Sequence, residues 1–148
     1  MFSSHHPKTI DLHFKWMADY GIDGAFMQRF STLIGSRFEA SFTDILGWAG
    51  EAAGRHGRKL AVMYDLTGLR EGQIDRVIDD WKKLRQMPGL IQRDRYMHHD
   101  GRPVVIMTLI DLLSLLQHPS METRFERAHA AMCIINHLPL TDLRRGGF

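Results

Sequence analysis

Two spacings of apolar residues alternate along this chain, and the alternation predicts its architecture. After Pro7, which suits the first turn of a helix, Ile10, Phe14 and Met17 recur at three- to four-residue intervals, and Gly21 supplies a stop. Residues 22–30 then read as a strand, apolar at Ala25-Phe26-Met27 and polar at Gln28-Arg29. Helical spacing returns over residues 42–56, where Phe42, Leu46, Ala49 and Ala53 form a buried stripe and Gly57 a cap. Leu60-Ala61-Val62-Met63-Tyr64 is an unbroken apolar run that ends in Asp65 and a Thr67-Gly68 turn, as a fully buried strand does. A third helix carries Ile74, Val77, Ile78, Trp81 and Leu84 on one face and has to stop before Pro88. After an Asp100-Gly101 turn, residues 103–107 form a third strand.

Three strands recurring roughly every 40 residues with a helix between them are the mark of βαβ units, which imply a parallel sheet with helices outside it. No sequence repeat accompanies the spacing, so the repeated unit is one of fold. A complete eight-unit barrel takes about 250 residues, and this chain supplies about half of that. The expectation is an α/β protein with a parallel, partial TIM-type barrel. The rhythm is lost after residue 108. Residues 109–148 are Leu-rich, and Phe125, Ala128, Met132 and Ile135 share one helical face, so the expected organisation is a β/α region over 1–108 and a mainly helical tail over 109–148.

Composition narrows the classes. The 148 residues are 44% hydrophobic and 24% charged, enough for one domain with a core. A formal charge of +2 and the lack of a basic cluster interleaved with aromatics exclude nucleic acid as the implied partner. Cys133 is the single cysteine, which rules out an internal disulfide framework or a cysteine-built zinc cluster. The amino-terminal residues lack the basic start and apolar centre of a signal peptide, and no stretch reaches the length of a membrane span. The chain as given is expected to be soluble and cytoplasmic, or secreted or periplasmic if its start is missing.

Asp65 is the leading candidate for chemistry. Polar groups at the carboxyl end of a strand sit where ligands bind in open α/β sheets and in β/α barrels. The same carboxylate can also cap its own turn by accepting the N–H of Thr67 or Gly68. Gln28 and Arg29 close the preceding strand, where an arginine holds a sugar hydroxyl, pairs with Asp65 or closes a structural salt bridge at the rim. Tyr64 either stacks on a sugar or faces the helices, and Trp81 belongs to the core. His98, His99 and Asp100 are poor metal ligands, since neighbours in an extended segment point apart and the trio precedes its strand. Neither metal nor cofactor is expected.

Residues 13–105 resemble the catalytic domains grouped around glycoside hydrolase families 71 and 99, α-1,3-glucanases and endo-α-mannosidases on a β/α barrel. The resemblance lies in Tyr20-Gly21-Ile22-Asp23-Gly24-Ala25-Phe26-Met27-Gln28-Arg29-Phe30 and Gly57-Arg58-Lys59-Leu60-Ala61-Val62-Met63-Tyr64-Asp65. Asp80-Trp81 and Tyr96-Met97-His98-His99-Asp100-Gly101-Arg102-Pro103-Val104-Val105 continue it. In the endomannosidase branch the strand matching Leu60 to Leu66 ends in a glutamate, followed three positions later by a second. Asp65 falls at the first position and Gly68 at the second, so one carboxylate of the pair is absent. The resemblance also implies an earlier strand ahead of His13 and further β/α units after Val105. It implies hydrolysis of α-linked glycans, with Asp65 catalytic and Gln28, Arg29 and Tyr64 binding substrate. The chain alone is expected to be inactive and to self-associate through open sheet edges. The competing expectation is a noncatalytic remnant that binds carbohydrate or a partner chain.

Overall fold

A computed structural model describes residues 5–70 and 72–108. Helix α1 (Pro7–Asp19) leads to strand β1 (Gly24–Phe30), a 3-10 turn (Ser31–Leu33) and helix α2 (Glu39–His56). Strand β2 (Lys59–Asp65), helix α3 (Ile74–Arg85), the two short strands β3 (His98–His99) and β4 (Arg102–Pro103), and strand β5 (Val105–Thr108) follow. The main sheet has the order β1-β2-β5 and is parallel throughout, Ala25 opposite Leu60 and Met63 opposite Ile106. The expected parallel α/β sheet is therefore present. Among the described residues it is an open three-stranded sheet with three helices and no closed barrel.

Local chemistry accounts for the boundaries. Pro7 occupies the first turn of α1, and His6 Nδ1 accepts the Lys8 N–H at 3.2 Å. At the far end Ile22 N–H bonds Met17 O (2.8 Å) and Gly21 N–H bonds Ala18 O (3.4 Å), the paired bonds of a Schellman stop with Gly21 left-handed (φ 71°). Ile22 is spent on that stop, so β1 begins at Gly24 instead of at residue 22. Helix α2 starts three residues before the expected Phe42. Its first turn is polar, with Glu39 accepting the Gly35 N–H (2.5 Å) and Thr43 Oγ1 donating to Glu39 O (2.9 Å), and so leaves no mark on the apolar pattern.

The third strand departs most from expectation. The Asp100-Gly101 turn, with φ of 47° and 78°, joins β3 to β4 in a two-residue antiparallel hairpin that takes up Pro103, and the sheet strand starts only at Val105. Proline has no N–H to give a ladder, which explains the displacement. Strand β2 consequently has a divided neighbour. Leu60 exchanges hydrogen bonds with the segment at Tyr96 (Leu60 N–H to Arg95 O, 2.9 Å; Met97 N–H to Leu60 O, 2.8 Å), while Val62–Asp65 pairs with β5. At the break the Tyr96 hydroxyl accepts the Val62 N–H (3.0 Å) and donates to Val104 O (2.8 Å). Tyr96 is 1% exposed, and burial raises its phenol pKa while the Val62 N–H works the other way.

The register assigns each side chain to a face. Ala25, Met27 and Arg29 share one face with Leu60, Val62, Tyr64, Val105 and Met107, and the helices pack there. α3 contributes Val77, Trp81 and Leu84, and α2 contributes Leu46, Ala49 and Ala53. α1 lies beside α2, with Asp11 Oδ1 taking Arg55 Nη2 (2.9 Å) and His56 Nε2 (3.0 Å). The opposite face carries Phe26, Gln28, Phe30, Ala61, Met63, Asp65, Ile106 and Thr108. Phe26 there is 52% exposed. The expected helix at 121–135 and the tail assignment lie outside the described residues.

Candidate functional site at the carboxyl end of the sheet

Asp65 ends β2, the central strand, and its side chain is 3% exposed. One carboxylate oxygen accepts the Thr67 N–H at 2.9 Å, the turn bond that its position in Asp65-Leu66-Thr67 allows. The other accepts Gln28 Nε2 at 2.8 Å. Gln28 reaches it because the register sets Gln28 opposite Met63, on the face and one step below the row that holds Asp65. Burial works against the charge, but the hydrogen bonds from Thr67 and Gln28 outweigh it and hold the Asp65 pKa below the ordinary value.

Arg29 and Tyr64 belong to the other face. Arg29 forms a two-pronged bond with Asp80 of α3, Nε to Oδ2 at 2.7 Å and Nη2 to Oδ1 at 2.6 Å. Tyr64 donates its hydroxyl to Asp80 Oδ2 at 2.5 Å, and Arg29 Nη2 also reaches Thr43 Oγ1 at 3.3 Å. All three principal members are buried: Arg29 6%, Tyr64 0% and Asp80 1% exposed. Burial opposes the Arg29 charge, yet Asp80 raises the guanidinium pKa on balance; burial and the Asp80 charge push the Tyr64 phenol up. Arg29 thus pairs with Asp80 and not with Asp65, because residues 29 and 65 fall on opposite sides of the pleat. Of the four site residues drawn from the sequence, the fold brings Asp65 and Gln28 together. It places Arg29 and Tyr64 in a salt-bridge cluster against the helices.

Asp80 is the polar residue for which the sequence pattern assigned no partner. Its signal was available: a carboxylate set among Val77, Trp81 and Leu84 on the buried side of α3 needs a cation or donor. Trp81 is core, 4% exposed. Ser31, just after β1, is 1% exposed, and its hydroxyl has no hydrogen-bond partner among the described residues. His98 and His99 lie in the short hairpin, and among the described residues no three His, Cys, Asp or Glu side chains converge as a metal site would require.

Chemically, a carboxylate with a lowered pKa is an acceptor and not a proton donor near neutral pH, whereas a glycosidic general acid needs its pKa raised. Among the described residues, the groups that shift the Asp65 pKa are Thr67 and Gln28 and not a second carboxylate. The Asp65–Gln28 pair is suited to accepting and donating hydrogen bonds to hydroxyl groups. Among the described residues no helix is long and apolar enough to cross a membrane. Comparison of the chain with family models, with curated proteins and with solved structures found no match.

Proposed function

We propose that this chain is part of a β/α-barrel protein of the carbohydrate-active hydrolase kind. In this reading the carboxylate of Asp65 and the amide of Gln28 bind hydroxyl groups of an α-linked glycan, and the chain by itself does not hydrolyse it. The observation that carries the reading is the Asp65–Gln28 hydrogen bond at the carboxyl ends of two adjacent parallel strands, on the face away from the helices. That end of a parallel sheet is where β/α proteins gather their ligand-binding groups. The resemblance of residues 13–105 to glycoside hydrolases supplies the substrate class. The lowered Asp65 pKa, and Gly68 where the endomannosidase pattern has its second carboxylate, support binding without turnover, because glycoside hydrolysis divides its work between two carboxyl groups.

The test pairs binding with turnover. Oligosaccharides of α-1,3-glucan and α-mannan are titrated into the full chain by calorimetry or ligand-observed NMR, and hydrolysis of the same sugars and of aryl glycosides is assayed in parallel. Weak binding in the millimolar range, about −4 kcal/mol, is expected with no turnover. Asp65→Asn and Gln28→Ala should weaken binding roughly tenfold, the worth of a hydrogen bond to a charged group. Absence of any sugar binding overturns the reading. Robust hydrolysis that Asp65→Asn abolishes also overturns it and makes Asp65 catalytic.

A further inference from the structure

The three strands of the sheet end in one row. Phe30 stands opposite Asp65 and Asp65 opposite Thr108, so their side chains share the face away from the helices. Neighbouring strands lie about 4.8 Å apart and residues two apart on a strand about 7 Å, which sets Phe30 beside the carboxylate and one step above Gln28. Phe30 is 38% exposed and takes no part in the core, to which β1 contributes Met27 instead. Its ring is held all the same. It meets Phe42 of α2 at 76° with centroids 6.4 Å apart, and an edge-to-face contact covers at most one face of either ring. Phe26 is exposed on the same face but lies four residues, about 13 Å, below the row. The Phe38 ring already carries the Arg37 guanidinium, 4.6 Å from its centroid. Phe30 therefore offers a fixed aromatic face beside a carboxylate and an amide.

We propose that Phe30 is the platform on which a sugar ring stacks at this rim, and that it selects gluco- over manno-configured α-pyranosides. The inference rests on the reading that Asp65 and Gln28 bind the sugar's hydroxyl groups, and it names which sugar they take. A pyranose has hydroxyl groups around its edge and C–H groups on its faces, which are drawn to the negative face of an aromatic ring. Stereochemistry then makes the selection. An α-glucopyranoside has its axial glycosidic oxygen on one face, while the other presents only the C–H groups of C2 and C4. In an α-mannopyranoside the 2-hydroxyl is axial on that second face, so each face carries an axial oxygen. A phenyl ring receives the first sugar in close contact. Against the second it would strip water from a hydroxyl and give it no partner. The row places the Asp65 carboxylate and the Gln28 amide beside the edge of a ring so stacked. In a barrel this row belongs to the mouth, the end at which ligands enter.

The test titrates methyl α-D-glucopyranoside and methyl α-D-mannopyranoside into the full chain, with saturation-transfer NMR to show which sugar protons meet the protein. The glucoside should bind about fivefold tighter or more, with the protons on C2 and C4 receiving the most saturation. Phe30→Leu keeps an apolar side chain and removes the ring. It should weaken the glucoside about five- to tenfold, barely change the mannoside and so erase the preference, whereas Phe30→Trp should retain or strengthen it. Asp65→Asn should weaken both sugars alike. Thermal melts check that each variant folds; should Phe30→Leu fail to fold, Phe30→Trp and the proton pattern of the unmodified chain decide. Two failures are told apart. Binding of neither sugar overturns the sugar-site reading and this proposal with it. Binding that Asp65→Asn weakens, but with equal affinity for the two sugars or a preference that neither Phe30 variant moves, leaves the site standing and overturns the role of Phe30.

Discussion

The buried Arg29–Asp80–Tyr64 cluster shows how unequal the consequences of single changes can be. Asp80→Ala removes the acceptor of a two-pronged charged bond and strands a guanidinium that is 6% exposed. The expected loss is about 3–5 kcal/mol by urea denaturation, as for other buried pairs broken on one side. Replacing both charges (Arg29→Met with Asp80→Leu) should cost much less, since no charge is left unpaired. Asp65 is different in kind. Its folded pKa is depressed, so its contribution to stability is present above the unfolded value near 3.8 and is lost as pH falls through the lower folded value. Acid titration of stability should therefore show a drop below about pH 4 that is smaller in Asp65→Asn. Ser31→Ala should leave stability unchanged or raise it by about 1 kcal/mol, because it deletes a buried hydroxyl that no described group satisfies.

At the scale of elements, the Tyr96 hydroxyl stands in for a missing rung. Tyr96→Phe leaves the Val62 N–H and the Val104 carbonyl without it, and a loss of about 1–3 kcal/mol is expected, with faster hydrogen exchange at the Val62 amide than at other β2 amides. Such a substitution of side chain for backbone could not be read from the sequence, where Tyr96 is one apolar residue before a turn. What could be read were the elements themselves. Gly21 and Gly57 end their helices through the same paired bonds, and Trp81 and Leu84 lie on the buried stripe that their spacing predicts. The partner of Arg29 was not legible for a definite reason. Parallel strands joined through a helix have no hairpin to fix their register, and without the register the parity that sends Arg29 and Asp65 to opposite faces is undetermined. Asp65 with Thr67 was legible because that bond is local; Asp65 with Gln28 depends on the same register.

For the whole molecule, the organising fact is asymmetry. Among the described residues, helices cover one face of the sheet, and the two outer strands, β1 and β5, each have a single neighbour in it. Open parallel edges are pairing sites, so the self-association expected from the sequence is a matter for sedimentation: if the edges drive it, mass should rise with concentration and fall when Phe26→Pro removes an outward-facing N–H from β1. The Asp65–Gln28 pair and the apolar rows therefore share one face of a small sheet, where Gln28 stands opposite Met63, and the salt-bridge cluster lies on the other.

The divided neighbour of β2 has a consequence for how freely this chain can vary. The hairpin of β3 and β4 leaves the sheet after Met97 and returns at Val104, and Val104 N–H bonds Met97 O at 3.0 Å across its neck. With the neck tied by that bond and by Tyr96, whatever lies beyond it is topologically a side branch. A peptide spliced between Asp100 and Gly101, both exposed, should therefore be carried as cargo, with the melting temperature of the host domain shifted by only a few degrees. The same splice after Val62, within the strand itself, should prevent folding. The hairpin tip is thus the place where this domain can accept an epitope, a reporter or a second module without loss of its own architecture.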